Sequence, residues 1–214
     1  MSGDRYQDYV IKNGELIANF EKIYTEFSDP WNQSTKVQRE SATRIITRFY
    51  IDKLREEFKS KSILEIGCGY AWLTEDLHNS GYRARGTDVS QACILKAKER
   101  NSKLDLHTAN FLDERHLVDF KPNVIVMNQL SWYVLGNLRE FVIALRKLAA
   151  FSEPTFLIHS LATYADGVQS YGNEFYTNRE EIEKYFGLNY LFSMETETLD
   201  GDRASFDTMF VAQL

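Results

Sequence analysis

Residues 62–72, with the sequence SILEIGCGYAW, are the stretch that most constrains what the chain can fold into. The first five are mainly apolar and predict a buried β-strand, which runs directly into Gly67-Cys68-Gly69. Glycine adopts the backbone conformations that a sharp turn from a strand into a helix requires, and it lets a ligand approach the main chain. The stretch therefore predicts a strand, a ligand-binding turn and a helix, with Glu65 beside the turn.

Strand-like and helix-like segments alternate along the chain, a pattern typical of an α/β fold with a largely parallel sheet. The predicted strands of this part are Ser62–Gly67, Arg83–Asp88, Asp105–Asn110, Asn123–Asn128 and Thr155–Ser160. Helical spacing of apolar residues or helix-capping signals predict helices at Gln91–Arg100, at Gly136–Ala150 and after Thr177.

The C-terminal segments, Asn189–Thr196 and Arg203–Gln213, are rich in β-forming residues and are joined around Asp200-Gly201-Asp202, which predicts an antiparallel hairpin. We therefore predict an α/β fold: a Rossmann-like, seven-stranded, mostly parallel sheet with an antiparallel C-terminal hairpin and helices on both faces.

About 60 residues precede the first strand of this sheet, and they predict two helices, Glu15–Phe27 and Thr35–Phe58. The break between them contains Trp31. These helices form either a cap over the ligand edge of the sheet or a simple N-terminal extension, and we favour the cap. The predicted division is a helical cap over residues 1–60 and a cofactor-binding domain over residues 61–214.

Composition excludes several classes of function. The formal net charge of −6 argues against a broad nucleic-acid or anionic-membrane surface. No stretch approaches the roughly 18 consecutive apolar residues of a membrane span, and the N-terminus lacks the pattern of a secretory signal. Cys68 and Cys93 form neither a disulfide framework nor a metal-ligand pattern. We expect a cytoplasmic protein without a metal site, a monomer or homodimer.

The residues around the glycine turn favour a cationic ligand over a pyrophosphate. Dinucleotide-binding turns carry a third glycine, where this chain has Trp72, and the carboxylate of Glu65 is a poor neighbour for phosphate. Glu65 is instead suited to an ammonium or a sulfonium. The backbone amides beside the two glycines are then expected to meet a carboxylate of the same ligand.

The turn resembles the E/D-x-G-x-G-x-G first motif of class I S-adenosylmethionine-dependent methyltransferases. Glu65, Gly67 and Gly69 match the motif, Cys68 lies between the glycines, and Ala71 replaces the last glycine. The resemblance covers roughly Ser62 to Leu161 and the closing hairpin. It implies S-adenosyl-L-methionine as the cofactor and methyl transfer as the reaction.

The resemblance also assigns roles to residues at the ends of the following strands. Asp88 lies 19 residues after Gly69, where the family binds both ribose hydroxyls, and a carboxylate accepts two such hydrogen bonds side by side. Asn110 and Phe111 lie where the family contacts adenine, and Val89 is expected to pack on the adenine face. Asn128 ends the fourth strand, beside the expected position of the methyl group.

Methyl transfer requires alignment of the reacting atoms and, for many acceptors, removal of a proton. The candidate bases are His159, near the end of the fifth strand, and Tyr133, after the fourth; a structural role for His159 is equally compatible with the sequence. The candidate acceptor-binding residues are aromatic, although core packing is the favoured interpretation of any single one: Trp31, Trp132, Tyr164 and Tyr176.

The acceptor is expected to be a small molecule rather than a nucleic acid. Enzymes that methylate exocyclic amino groups of bases resemble one another in a [D/N/S]-P-P-[Y/F/W] motif, where this chain has Asn128-Gln129-Leu130-Ser131. Asp29-Pro30-Trp31 resembles the entry segment of nodulation-type sugar N-methyltransferases and of capsule-pathway methyltransferases that modify phosphoramidate or saccharide groups. The acceptor atom is N or O.

Two other functions are compatible with parts of the sequence. A nicotinamide-dependent oxidoreductase also has a Gly-x-Gly turn and a distal acidic residue, but Glu65, Trp72 and the terminal hairpin count against it. A non-catalytic cofactor-binding partner subunit would keep the binding residues and lack turnover.

Overall fold

A computed structural model of the chain describes residues 6–149, 154–164, 171, 175–200 and 203–214. The chain begins with a short hairpin and three helices: β1 (Ile11–Lys12), β2 (Glu15–Leu16), α1 (Phe20–Glu26), α2 (Lys36–Arg39) and α3 (Ala42–Phe58). The later elements are β3 (Ser62–Ile66), α4 (Trp72–Asn79), β4 (Arg83–Asp88), α5 (Gln91–Arg100), β5 (Asp105–Thr108), α6 (Glu114–Phe120), β6 (Val124–Asn128), α7 (Leu138–Ala149), β7 (Phe156–Tyr164), α8 (Arg179–Phe186), β8 (Asn189–Asp200) and β9 (Arg203–Gln213).

The first predicted helix is wrong at its start. Asn13 and Gly14 both have positive φ, 54° and 80°, and they form the two-residue turn between β1 and β2. An Asn-Gly pair favours this turn because both residues tolerate the left-handed conformation. The second predicted helix is divided, because Ser41 is extended and starts α3 separately from α2. Helix α6 was not predicted.

Seven strands form one sheet in the order β5-β4-β3-β6-β7-β9-β8. The pairs from β5 to β7 are parallel, whereas β9 pairs antiparallel with both β7 and β8. The predicted fold class is therefore confirmed. The predicted turn of the terminal hairpin at Gly201-Asp202 lies outside the described residues.

Helices cover both faces of this sheet because side chains alternate between the faces along each strand. On one face, Ile63 and Val126 pack with residues of α3 and α4. On the other face, Leu64 and Ile125 pack with residues of α6, α7 and α8. Because β3, β4 and β6 are buried on both faces, their side chains form rigid supports for the loops that follow them.

Within the part of the chain that the structure describes, no helix has the length and apolar character that crossing a bilayer would require.

Candidate functional site

The carboxyl ends of β4, β3 and β6 are neighbours at one edge of the sheet. The topology therefore brings together Asp88 at the end of β4, the turn after Glu65 and Ile66 in β3, and Asn128 at the end of β6. The order in which strands are added to the sheet reverses at β3, because β4 and β5 lie on one side of β3 whereas β6 and β7 lie on the other. Such a reversal leaves a crevice outside the strand ends, where open α/β sheets bind ligands.

Glu65 is buried beneath this crevice rather than exposed in it. Its Oε2 accepts hydrogen bonds from the backbone amide of Thr74 at 2.9 Å and from Thr74 Oγ1 at 2.5 Å. Burial raises the pKa of Glu65, although the Arg44 guanidinium and the two hydrogen bonds from Thr74 act in the opposite direction. Glu65 thus fixes the first turn of α4 against β3 and contributes negative charge beneath the glycine turn.

Both glycines of the turn have positive φ, 71° at Gly67 and 53° at Gly69, as the turn requires. A Cβ on Gly67 would lie 3.0 Å from Leu130 Cδ1, so this glycine is also needed for the close approach of the loop after β6. Cys68 is buried, and its thiol points into the protein beside Gly86. Cys68 can therefore contribute only its main chain to a ligand at this edge.

The expectation that backbone amides of the turn meet a ligand carboxylate requires the ligand to replace an acceptor, because each of these amides donates a hydrogen bond within the protein. The amides of Gly67 and Cys68 both donate to the carbonyl oxygen of Thr87, at 2.8 and 3.0 Å. The amide of Gly69 donates to Asp88 Oδ2 at 2.9 Å. The next amide, that of Tyr70, donates to Gln33 Oε1 at 2.9 Å.

Asp88 faces the glycine turn. Its second oxygen, Oδ1, accepts from the Ser90 amide at 3.0 Å, so the carboxylate ties the turn after β4 to the turn after β3. Burial raises the pKa of Asp88, and the hydrogen bonds from Ser90 and Gly69 oppose this effect. The Cys93 side chain and the Val89 amide also donate to Asp88, so a diol would have to share the carboxylate with these protein donors or replace some of them.

Asn110, Phe111 and Val89 lie where the sequence predicted contacts to a flat ring. Asn110 is exposed, and its Oδ1 accepts from the Leu112 amide at 3.0 Å. Phe111 packs edge-on against Phe141, with ring centroids 5.4 Å apart. Val89 is 53% exposed at the same edge. Asn110 and Phe111 line a cavity of only about 10 Å³, which is too narrow for a ring without movement of these side chains.

Asn128 carries a polar group that is buried without a partner among the described residues. Its Oδ1 accepts from Ser160 Oγ at 2.9 Å, whereas its Nδ2 has no hydrogen bond. An unsatisfied buried donor costs roughly 1–3 kcal/mol, so such a group needs an explanation. An acceptor group on a ligand bound beside the end of β6 would provide one.

Residues ahead of the sheet cover the glycine turn, and the sequence did not identify two of them. The cap segment, residues 20–34, lies over the turn through Tyr24 and Gln33. A Cβ on Gly69 would come within 2.5 Å of Gln33 Oε1 and within 2.8 Å of Tyr24 Oη. Trp31, predicted to bind an acceptor, also belongs to the segment and is hydrogen-bonded to Tyr24.

Helix α5 holds the cap segment in place from both ends of α1. The carboxylate of Glu21 accepts from Ser90 Oγ at 2.7 Å and from the Ala92 amide at 3.2 Å, at the positive N-terminus of α5. Lys96 Nζ donates to the carbonyl oxygens of Tyr24 and Phe27 near the other end of α1. The negative charge of Glu21 thus faces the N-terminus of α5, and the positive charge of Lys96 faces the C-terminus of α1.

Trp72 does not enter the space where a third glycine was expected. Ala71, with a φ of 57° and no exposed surface, makes the close contact between turn and helix. The Trp72 indole ring instead lies in cation–π contact with the guanidinium carbons of Arg100 and Arg39, at 3.6 and 4.6 Å from its centroid. The residue that replaces glycine is therefore Ala71.

His159 is not placed to act as a base on a bound acceptor. It has no exposed surface, its ring is stacked on Phe210 at 4.7 Å, and Phe186 packs beside it at 4.9 Å. Its Nε2 is hydrogen-bonded to Ser131 Oγ. His159 therefore anchors the loop after β6 from within the core, which corrects the prediction that it removes a proton.

Tyr133 lies on the outer side of the same loop and contacts the cap segment. Its ring packs against Phe20 at 5.2 Å and against Trp31 at 5.9 Å. Tyr133 and Trp31 are both half-buried. These aromatic residues form one wall above the ends of β3 and β6, and Tyr133 stays a candidate base.

Trp132 and Tyr176 lie behind this wall. Trp132 is 8% exposed and donates from Nε1 to the carbonyl oxygen of Ala162 at 2.7 Å. Tyr176 has no exposed surface and packs on Trp132 at 5.2 Å. Because both side chains are buried, neither is accessible to a ligand in this conformation. Their predicted role as binding residues is therefore corrected to support of the loop that carries Tyr133. Tyr164, the remaining predicted acceptor-binding residue, ends β7, and its side chain lies outside the described part of the structure.

The burial of His159 predicts a contribution to acid sensitivity. Burial lowers the pKa of His159 to about 3, whereas the ordinary value of about 6.5 applies in the unfolded chain. Between these values the unfolded chain binds a proton that the folded chain does not, so the free energy of unfolding decreases as the pH falls. We expect His159 to account for a loss of about 2 kcal/mol between pH 7.5 and pH 5.

Urea unfolding at several pH values checks this expectation by comparing a His159 substitution with the unmodified chain. His159→Gln should give a shallower acid dependence than the unmodified chain, because the titrating group has been removed. Parallel curves for His159→Gln and the unmodified chain would show that the imidazole is not buried as described.

Two comparisons with known proteins gave matches, and a third gave none. Residues 36–192 match the model of a family described as "Methyltransferase domain". No curated protein matches the chain.

Solved structures with a similar fold share little sequence identity with the chain. The N-methyltransferase NodS from Bradyrhizobium japonicum WM9, in complex with S-adenosyl-L-homocysteine, is 15% identical, with a TM-score of 0.60 over 90% of this chain and 96% of that one. The bifunctional kinase-methyltransferase WbdD is 15% identical, with a TM-score of 0.60 over 86% of this chain and 41% of that one. The methyltransferase domain of bacterial CtHen1-CN is 16% identical, with a TM-score of 0.55 over 80% and 98%.

Proposed function

The chain belongs to the methyltransferase domain family, and on this basis we propose that it transfers the methyl group of S-adenosylmethionine to a nitrogen or oxygen atom of a small polar acceptor. The observation that carries the proposal is the convergence of the glycine turn, Asp88 and Asn128 at one edge of the sheet. We also propose that residues 1–60 act as a cap and residues 61–214 as the cofactor-binding domain.

The residues at this edge fit the cofactor. Because Gly69 has no Cβ, the ends of the Gln33 and Tyr24 side chains lie directly on the turn, and a ligand that displaced them would reach the main chain. Asn128 Nδ2 is a buried donor without a partner among the described residues. Asp88 would hold the ribose hydroxyls, and Asn110, Phe111 and Val89 would surround the adenine. Glu65 lies too deep for direct contact and would favour the positive charges of the ligand through the local potential.

The bound cofactor would supply an electrophilic methyl group on a positively charged sulfur. The chain's own residues would then align the acceptor with that group and keep water away. The wall formed by Tyr133, Trp31 and Phe20 supports both tasks, since it presents aromatic surface beside the loop that follows β6 and Asn128. Where the acceptor must lose a proton, the Tyr133 hydroxyl is the candidate group on this wall, and His159 is excluded by its burial.

For the acceptor we propose a saccharide or phosphoramidate group of a surface-glycan precursor. The Asp29-Pro30-Trp31 segment supports this choice, because Asp29 fixes the turn that carries Trp31 toward Tyr133. Aromatic faces with a few polar groups suit a hydroxylated ring, which has both apolar and polar surfaces.

Isothermal titration calorimetry with S-adenosylmethionine and S-adenosylhomocysteine tests the proposed cofactor. We expect both to bind to the folded protein. If neither binds in a sample whose circular dichroism shows a folded chain, the proposed function is rejected. Release of S-adenosylhomocysteine in the presence of candidate acceptors then separates a nitrogen from an oxygen acceptor and a sugar from other classes.

A further inference from the structure

The Gln33 side chain is hydrogen-bonded to the main chain at the end of the glycine turn. Its Oε1 accepts the hydrogen bond of the Tyr70 amide at 2.9 Å. The amides of Gly67, Cys68 and Gly69 bond to acceptors on β4, which is part of the sheet. The acceptor for Tyr70 differs, since it is a side chain of the cap segment, which can move without breaking the sheet.

The turn that carries Gln33 is held by Asp29. Asp29 Oδ1 accepts from the Gln33 amide at 2.8 Å, and Oδ2 accepts from the Ser34 amide at 2.9 Å and from Ser34 Oγ at 2.6 Å. Tyr70 Oη also donates to the carbonyl oxygen of Ser28 at 2.7 Å. Because both ends of this turn contact Tyr70, the Gln33 carboxamide is presented to the Tyr70 amide by a defined local structure.

Resting on the proposed function, we propose that Gln33 sets the affinity for the cofactor by standing in for its carboxylate at the Tyr70 amide. Binding of the cofactor displaces the carboxamide, because an ionised carboxylate is a stronger hydrogen-bond acceptor than a neutral amide. Gln33 is thus a specificity-determining residue for the amino-acid part of the cofactor. Ligands without that part leave Gln33 in place.

The proposed role predicts the direction in which the Kd changes when the Gln33 side chain is removed. A competitor inside the protein weakens binding, so its removal strengthens binding by the value of one neutral hydrogen bond. We expect Gln33→Ala to lower the Kd for S-adenosylhomocysteine about two- to tenfold in calorimetry. We expect the Kd for 5′-methylthioadenosine, which has the nucleoside and sulfur but no amino-acid group, to stay within about twofold of the unmodified protein.

Two further variants complete the test. Gln38→Ala removes an exposed glutamine of α2 and should change neither Kd. Gln33→Glu should raise the Kd for S-adenosylhomocysteine about tenfold or more, because a carboxylate holds the Tyr70 amide more strongly and repels the carboxylate of the ligand.

The outcomes distinguish this inference from the proposed function. If S-adenosylhomocysteine binds to the unmodified protein but its Kd is unchanged or higher in Gln33→Ala, the competitor role is wrong and the proposed function stands. A parallel change for 5′-methylthioadenosine likewise overturns the assignment to the carboxylate position. If the unmodified protein binds neither ligand, both the inference and the proposed function fail.

Discussion

Asp88→Asn should weaken the binding of S-adenosylhomocysteine at least about 100-fold while leaving the protein folded. The reason is that the carboxylate would accept the ribose hydroxyls, and hydrogen bonds to a charged group are worth about 1.5–3 kcal/mol each. An asparagine would also place an NH₂ group against one of two backbone donors, the amide of Gly69 or that of Ser90. The substitution would therefore weaken the contact with the ribose and also the link between the turn after β3 and the turn after β4.

Calorimetry measures the loss of binding by Asp88→Asn, and thermal unfolding shows whether the domain remains intact. Asp119→Asn is the matched control, because Asp119 is exposed on α6 and should behave as the unmodified protein does. A folded Asp88→Asn protein with unchanged affinity would refute the ribose-binding role of Asp88.

Gly69→Ala should abolish measurable cofactor binding and lower stability. The new methyl group would come within 2.5 Å of Gln33 Oε1 and 2.8 Å of Tyr24 Oη, so these two side chains of the cap segment must move. Alanine at a φ of 53° adds backbone strain, which costs about 1–2 kcal/mol. The methyl group also fills the space above the main chain that a ligand needs, so relieving the clash with Gln33 does not restore binding.

Substitutions at two other glycines separate the effect of backbone strain from the effect of the steric contacts at Gly69. Gly81→Ala introduces strain alone, because Gly81 has a φ of 81° and a Cβ added there would meet nothing within 4 Å; Gly136→Ala introduces neither strain nor contact. We expect Gly81→Ala to lower the thermal midpoint without affecting binding, and Gly136→Ala to change neither. In the double variant that combines Gly69→Ala with Gln33→Ala, stability should recover in part and cofactor binding should stay absent. Normal binding by Gly69→Ala alone would exclude the glycine turn as the cofactor site.

Part of the site could be predicted because strand ends are encoded locally. The apolar run before Gly67 and the acidic residue at the end of β4 are visible in the sequence, and parallel strands bring their carboxyl ends to one edge. The residue type also limits the chemistry, since a carboxylate suits a diol and glycine suits a sharp turn.

One error and one open alternative have identifiable causes. The Asn13-Gly14 pair favours a hairpin turn, but the prediction considered only the helical spacing of the apolar residues from Leu16 onward. For His159 the sequence left a base and a structural residue equally open, because the two phenylalanines from α8 and β9 that enclose it contact it only in the folded chain.

The sequence alone determined the seven strands of the main sheet, the glycine turn and the identity of the residues at the strand ends. Each of these depends on backbone preference and side-chain periodicity over a few neighbouring residues. Only the tertiary structure decided that Gln33 bonds to the Tyr70 amide, 37 residues away, and that Tyr133 faces the cap segment while His159 lies in the core. Those outcomes depend on which distant surfaces pack together, and local preference does not specify that packing.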